Sequence, residues 1–172
     1  MSETLTAPSR SATASKLASR MRSPWLLRGF MLAKLPLALF AGLRVRELTE
    51  DRCVVTVPYG WRSTNPFRST YFAALSMAAE MSTGAPAMMA VELASQPVAM
   101  LIVGLEASFE KKAVATTAFV CEDGPKAFAA VAETLRTGEA ATVRMETVGR
   151  MPDNTTVARF VFTWSFKKRS RA

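Results

Sequence analysis

The sequence predicts an α+β fold with a mostly antiparallel sheet. Three observations carry that expectation. Residues 156–166 alternate strictly: Ala158, Phe160, Phe162, Trp164 and Phe166 fall on one side, and Val157, Arg159, Val161, Thr163 and Ser165 on the other. Period two over a full strand is the strongest local signal in the chain. Strand-like runs outnumber helical ones, and consecutive runs can pair as hairpins. Finally, the Ala-rich run 69–84 holds a single charge, Glu80, in the whole interval between Arg68 and Glu92. A surface helix shows a charged stripe, so this one suits a buried position against a sheet.

The elements follow in order. Residues 1–22 are rich in Ser, Thr and Ala with scattered arginines, and without an apolar core they read as a disordered basic tail. Residues 23–172 read as a single domain with a basic end. Pro24 to Leu43 is long and apolar, but Arg28 and Lys34 interrupt it and Pro36 breaks its helix. It therefore reads as an amphipathic or core-docking helix and not a membrane span, with Ser23 as N-cap, Pro24 as first helical residue and Gly42 at the end. Interfacial membrane contact stays open for it.

Residues 44–50 and 52–60 predict two strands around a turn at Asp51, with Cys53, Val55, Val57 and Tyr59 on one face. Residues 63–66 are loop, because Asn65-Pro66 favours an extended or turn start. The central helix is expected from about 69 to 84, capped by Ser69 and closed by Thr83-Gly84. Runs 98–105, 112–121, 141–149 and 156–166 predict four more strands. A short helix over about 125–137, with Pro125 in its first turn and Gly138 after its end, presents Phe128, Val131, Ala132 and Leu135 as its apolar stripe.

The composition excludes several function classes. The chain has 172 residues, 22 Lys plus Arg, 14 Asp plus Glu and no histidine. Ser-His-Asp and Cys-His mechanisms and His-containing metal sites are therefore closed to it. The net charge of +8 resides almost wholly at the ends: residues 24–166 carry 14 basic and 13 acidic groups. Nucleic acid is accordingly not an expected partner. The eight glycines are scattered, so Rossmann and P-loop readings fail. Cys53 and Cys121 lie in apolar runs without CxxC spacing and read as reduced core residues. A cytoplasmic location is expected, with no metal or cofactor.

Three stretches carry a family resemblance: Asn65 to Glu80 (NPFRSTYFAALSMAAE), Leu105 to Lys112 (LEASFEKK) and Trp164 to Arg169 (WSFKKR). Together they look like the DUF4442 branch of hot-dog thioesterase-like proteins, over roughly Pro24 to Arg169. The resemblance implies a six-stranded antiparallel sheet wrapped around the central helix. It also implies an acyl-CoA or related acyl-thioester substrate, and a homodimer or dimer of dimers with the site at the subunit interface. Hot-dog thioesterases of the phenylacetate-pathway type carry a His-Gly-Gly-like turn at the helix start, where a backbone N–H polarises the thioester carbonyl, and a carboxylate further along. Laid on this chain, Tyr71, Phe72 and Ala73 stand at that turn, Glu80 at the carboxylate position, and Asn65 near an upstream asparagine.

On that basis Glu80, the Ala73 N–H and Asn65 are the catalytic candidates, and Ser69, Thr70, Tyr71, Phe72 and Ser76 the substrate-binding ones. The physics agrees in part. First-turn N–H groups lack intrahelical acceptors and sit at the positive end of the helix dipole, a ready oxyanion site. Apolar surroundings would raise the Glu80 pKa toward that of a neutral-pH base. Each candidate has a plainer reading: Glu80 satisfied by a neighbour, Asn65 in an Asx turn, Ser76 bonded back to its own helix. Phe72-Ala73 departs from the Gly pair and adds bulk where substrate approaches. A hot-dog protein that binds acyl-CoA or lipid without turnover is the alternative.

Overall fold

The computed structural model describes residues 23–169. The expected N-terminal tail (1–22) and the last three residues of the basic end lie outside them. The element order is α1 (Pro24–Lys34), α2 (Pro36–Ala41), β1 (Arg44–Leu48), β2 (Cys53–Val57), α3 (Phe72–Glu92), β3 (Val98–Phe109), β4 (Thr117–Cys121), α4 (Gly124–Thr137), β5 (Ala141–Arg150) and β6 (Thr156–Lys168). The six strands form one sheet in the order β1-β2-β4-β5-β6-β3, and every neighbouring pair is antiparallel. The sheet curls around α3, which touches all six strands. This is the hot-dog arrangement.

The N-terminal segment breaks at Pro36 as its sequence requires, because proline cannot donate to the preceding turn. Gly42 ends α2 in the left-handed region (φ 80°), where its N–H caps the Ala38 and Leu39 carbonyls. Ser23 stands at the N-cap of α1 but makes no side-chain cap bond. The alternation of β6 is real: Ala158, Phe160, Phe162, Trp164 and Phe166 are all buried. Val157, on the other side, is buried as well.

Several boundaries differ from expectation. The central helix starts at Phe72, with Tyr71 as N-cap, and runs through Gly84 and Pro86 to Glu92. Ser69 is not its cap. An interior proline costs roughly 3 kcal/mol, yet burial of Ala85, Pro86, Ala87, Met89 and Ala90 carries the helix past it. The run 112–121 is strand only from Thr117. The strands β3 and β4 do not pair as a hairpin; β3 crosses over to lie against β6 at the sheet edge. In the second strand run, Cys53, Val55 and Val57 are buried, whereas Tyr59 falls beyond β2 and is exposed. On α4 the buried face is Ala127, Ala130, Val131 and Thr134, and Ala132 is exposed. Phe128 and Leu135 of the expected stripe are half-buried against the core, so Ala132 alone departs from it.

Candidate active site

The helix α3 presents Met77, Glu80, Met81, Gly84 and Met88 along one line at spacings of three, four and seven residues. That line forms one wall of a cavity of about 450 Å3. The other walls are Phe30, Lys34 and Leu37 from the N-terminal helices, Met100 at the start of β3, and Trp164 on β6. The lining is almost wholly apolar, and flexible methionines suit a pocket that takes variable hydrocarbon.

Glu80 is the one carboxylate in that lining. Its side chain keeps solvent contact in the single chain, but the apolar groups crowding it disfavour the charged form and push its pKa above the usual carboxylate value. Among the described residues its carboxylate has no hydrogen-bond or ion-pair partner; Lys34 lines the same cavity without reaching it. Ser76 does not bond Glu80 either. Its hydroxyl donates to the Phe72 carbonyl at 2.9 Å, the back-bonding alternative.

The remaining candidates do not line this cavity; they gather around the α3 N-terminus. Ala74 and Leu75 donate back to the Tyr71 carbonyl at 2.9 and 3.2 Å. Among the described residues, the Phe72 and Ala73 N–H groups donate to no backbone carbonyl. Tyr71 and Phe72 are exposed and meet edge to face, with centroids 5.2 Å apart. Phe72 meets Phe109, at the far end of β3, at 6.3 Å.

The loop before the helix is held by its own polar groups. The Asn65 side-chain oxygen accepts from the Phe67 N–H at 3.0 Å, the Ser69 N–H at 3.2 Å and the Ser69 hydroxyl at 3.3 Å. Thr70 is buried and bonds the Ala113 carbonyl through its N–H at 2.7 Å and through its hydroxyl at 3.2 Å. Asn65, Ser69 and Thr70 thus fix the loop that launches α3 at Tyr71. Ala73 and Glu80 stand seven residues apart, about 10 Å along the axis at 1.5 Å per residue.

The two cysteines face each other across β2 and β4 as Cα partners, both buried. Burial pushes the Cys121 thiol up to about 11 and Cys53 higher still, so neither is a nucleophile at neutral pH. Among the described residues, no three acidic or thiol groups gather as metal ligands.

The family model described as a domain of unknown function, DUF4442, matches residues 23–166. The chain belongs to that family. Comparison with curated proteins by sequence finds no match. Among solved structures, a protein of unknown function from Chlorobaculum tepidum is similar with a TM-score of 0.75 at 15% identity, covering 94% of this chain and 100% of its own. A thioesterase from Haemophilus influenzae gives 0.61 at 12% identity, covering 88% and 95%. A Pseudomonas aeruginosa protein, described as a probable thioesterase, gives 0.69 at 18%, covering 87% and 99%. At such identities the likeness establishes the fold.

Most of the cavity wall of this DUF4442 chain escaped the sequence reading. Met77, Met81 and Met88 share a helical face with Glu80, a regularity visible in the sequence once the helix is allowed past Gly84. Phe30, Met100 and Trp164 come from distant segments and leave no local signal.

Proposed function

We propose that this protein is a thioesterase that hydrolyses acyl-CoA or a related acyl thioester at a site shared by two subunits. The observation that carries the reading is Glu80: an unpaired carboxylate with a raised pKa at the wall of an apolar cavity sized for an acyl chain. Glu80 would activate water or attack the carbonyl itself, and the Ala73 N–H at the α3 N-terminus would hold the oxyanion. The thioesterase named among the similar structures supports the same chemistry.

The two halves of this site flank opposite ends of β3, since Glu80 shares the cavity with Met100 and Phe72 touches Phe109. The outer edge of β3 has no strand partner among the described residues, and Leu101, Val103 and Leu105 are exposed on it. Antiparallel pairing of β3 with the same strand of a second copy would bring the Met100 end of one chain beside the Phe109 end of the other. Ala73 of one subunit would then serve Glu80 of its partner.

Release of free thiol from a panel of acyl-CoA esters tests the activity, and Glu80→Gln tests its assignment. Turnover is expected, with a loss of at least a hundredfold in the variant. No thiol release, or an unchanged rate in Glu80→Gln, removes the mechanism.

One observation favours a second reading. Phe72 is exposed at the first turn and set against Tyr71 and Phe109, and its bulk would narrow an approach to the Ala73 N–H. A binding protein without turnover would be stabilised thermally by acyl-CoA while releasing no thiol.

A further inference from the structure

A second cavity, of about 490 Å3, lies on the other side of the α1–α2 pair and is lined by four arginines: Arg28 from α1, Arg44 and Arg46 from β1, and Arg62 from the turn after β2. Among the described residues, no Asp or Glu lines it. Elsewhere in the fold, Arg52, Arg136, Arg144 and Arg159 each sit against a carboxylate. None of these four does among the described residues. Four guanidinium groups left facing one cavity repel one another, and an anion with several acceptor oxygens would relieve that repulsion.

Next to these arginines the surface carries uncovered aromatic rings. Trp61, beside Arg62, is 81% exposed, and Trp25, under the Arg28 guanidinium, is 79% exposed. Phe40 meets Trp61 edge to face at 5.9 Å and is itself exposed, as is Leu32, one turn after Arg28. Aromatic and leucine side chains standing in water beside arginines that meet no carboxylate among the described residues are the composition of a helix that lies in the headgroup layer of a bilayer. No helix among the described residues is long and apolar enough to cross a membrane. A second copy of this chain is a poor occupant, since a two-fold contact through this face would set arginines against arginines.

We propose that the α1–α2 pair and the Trp61–Arg62 turn form a docking surface for anionic phospholipid, with the arginine-lined cavity receiving the headgroup phosphate. The aromatic rings enter the acyl boundary, while Arg28, Arg44, Arg46 and Arg62 hold phosphate oxygens. Each arginine close to an anionic leaflet contributes roughly a fivefold gain in partitioning.

The experiment uses the full chain and sucrose-loaded vesicles, either pure phosphatidylcholine or phosphatidylcholine with phosphatidylglycerol. Sedimentation with the anionic vesicles only is expected. Emission from Trp25 and Trp61 should shift to the blue, whereas buried Trp164 does not respond. Arg44 and Arg46 are exposed, so Arg44→Gln with Arg46→Gln should keep the thermal midpoint and lower partitioning by more than tenfold. Trp61→Ala should remove the Trp61 part of the blue shift and leave that of Trp25.

No sedimentation overturns the proposal. Anionic binding that ignores the arginine pair assigns it to the basic ends and overturns it as well. Protection of the fold by inorganic pyrophosphate without vesicle binding would make the cavity a site for soluble phosphate and reject the lipid. A fall in sedimenting mass in Trp61→Ala would make the face a contact between copies, with the same consequence.

Discussion

A Cβ atom on Gly84 would lie 3.2 Å from Cζ2 and 3.3 Å from Cη2 of Trp164. The indole has little freedom to retreat. Its N–H donates to the Thr83 hydroxyl at 3.1 Å, and its ring stacks on Phe162 at 6.5 Å. Both Gly84 and Trp164 line the Glu80 cavity. Replacing an interior helical glycine by alanine normally stabilises by about 1 kcal/mol. Here the displaced indole should outweigh that gain. Gly84→Ala is expected to lower stability by about 1 kcal/mol in urea unfolding and Gly84→Val by about 2–3 kcal/mol. A stabilised alanine variant would show that the ring can move, and that the pocket wall is soft.

The Ser82 hydroxyl lies 2.7 Å from the Ala79 carbonyl and 2.8 Å from the Thr147 hydroxyl, all inside the core. A carbonyl only accepts, so Ser82 donates to Ala79 and Thr147 donates to Ser82. That direction predicts an asymmetry. Ser82→Ala strands a buried Thr147 hydroxyl and should cost about 1–3 kcal/mol. Thr147→Val leaves Ser82 its own acceptor and should cost less. The double variant should cost clearly less than the sum of the two, as a double-mutant cycle on unfolding free energies will read directly.

The raised pKa of Glu80 makes a signed statement about pH. Folded Glu80 holds its proton to higher pH than the unfolded chain does. Stability contributed by this group is therefore complete below the ordinary carboxylate pKa and declines as pH rises through the raised folded value. Glu80→Gln removes that decline. Unfolding midpoints measured across the acid-to-neutral range should show the wild type losing ground to Glu80→Gln as pH increases. The opposite slope would mean that the carboxylate has an ionic partner in solution.

Much of this fold can be read from the chain because its signals are local. The β6 alternation, the Pro36 break and the nearly uncharged α3 each follow from one contiguous segment. The misplaced boundaries share a physical cause. Gly84 and Pro86 are stop signals by propensity, but burial of Ala85, Pro86, Ala87, Met89 and Ala90 overrides them. Ser69 looks like a cap, yet its hydroxyl is committed to Asn65. Glu80 stands out as the one charge of its helix before the terminal Glu92. Its cavity does not, because Phe30, Met100 and Trp164 meet only through the tertiary fold. That consecutive strands can pair as hairpins does not decide the partner of β3, which is drawn to β6, where Met100 and Ile102 oppose Phe166 and Trp164.

The shared site makes a prediction about subunit mixing that a site within one chain cannot satisfy. Glu80→Gln disables the carboxylate half. Ala73→Pro removes the N–H of the other half, at a first-turn position where proline is tolerated. Each variant alone should be inactive. If Ala73 of one subunit serves Glu80 of its partner, a mixed dimer holds one site with both groups intact and one with neither. Refolding the two variants together should then restore hydrolysis to about a quarter of the wild-type rate, since half the dimers are mixed and each has one working site of two. Adding Leu101→Lys and Leu105→Lys to both chains should abolish this recovery, because a charged, repelling edge on β3 prevents strand pairing. Those leucines are 66% and 53% exposed, so the monomer's unfolding midpoint should scarcely change. No recovery from the mixed variants, with dimers confirmed by sedimentation, would place both groups in one chain's site and reject the shared arrangement.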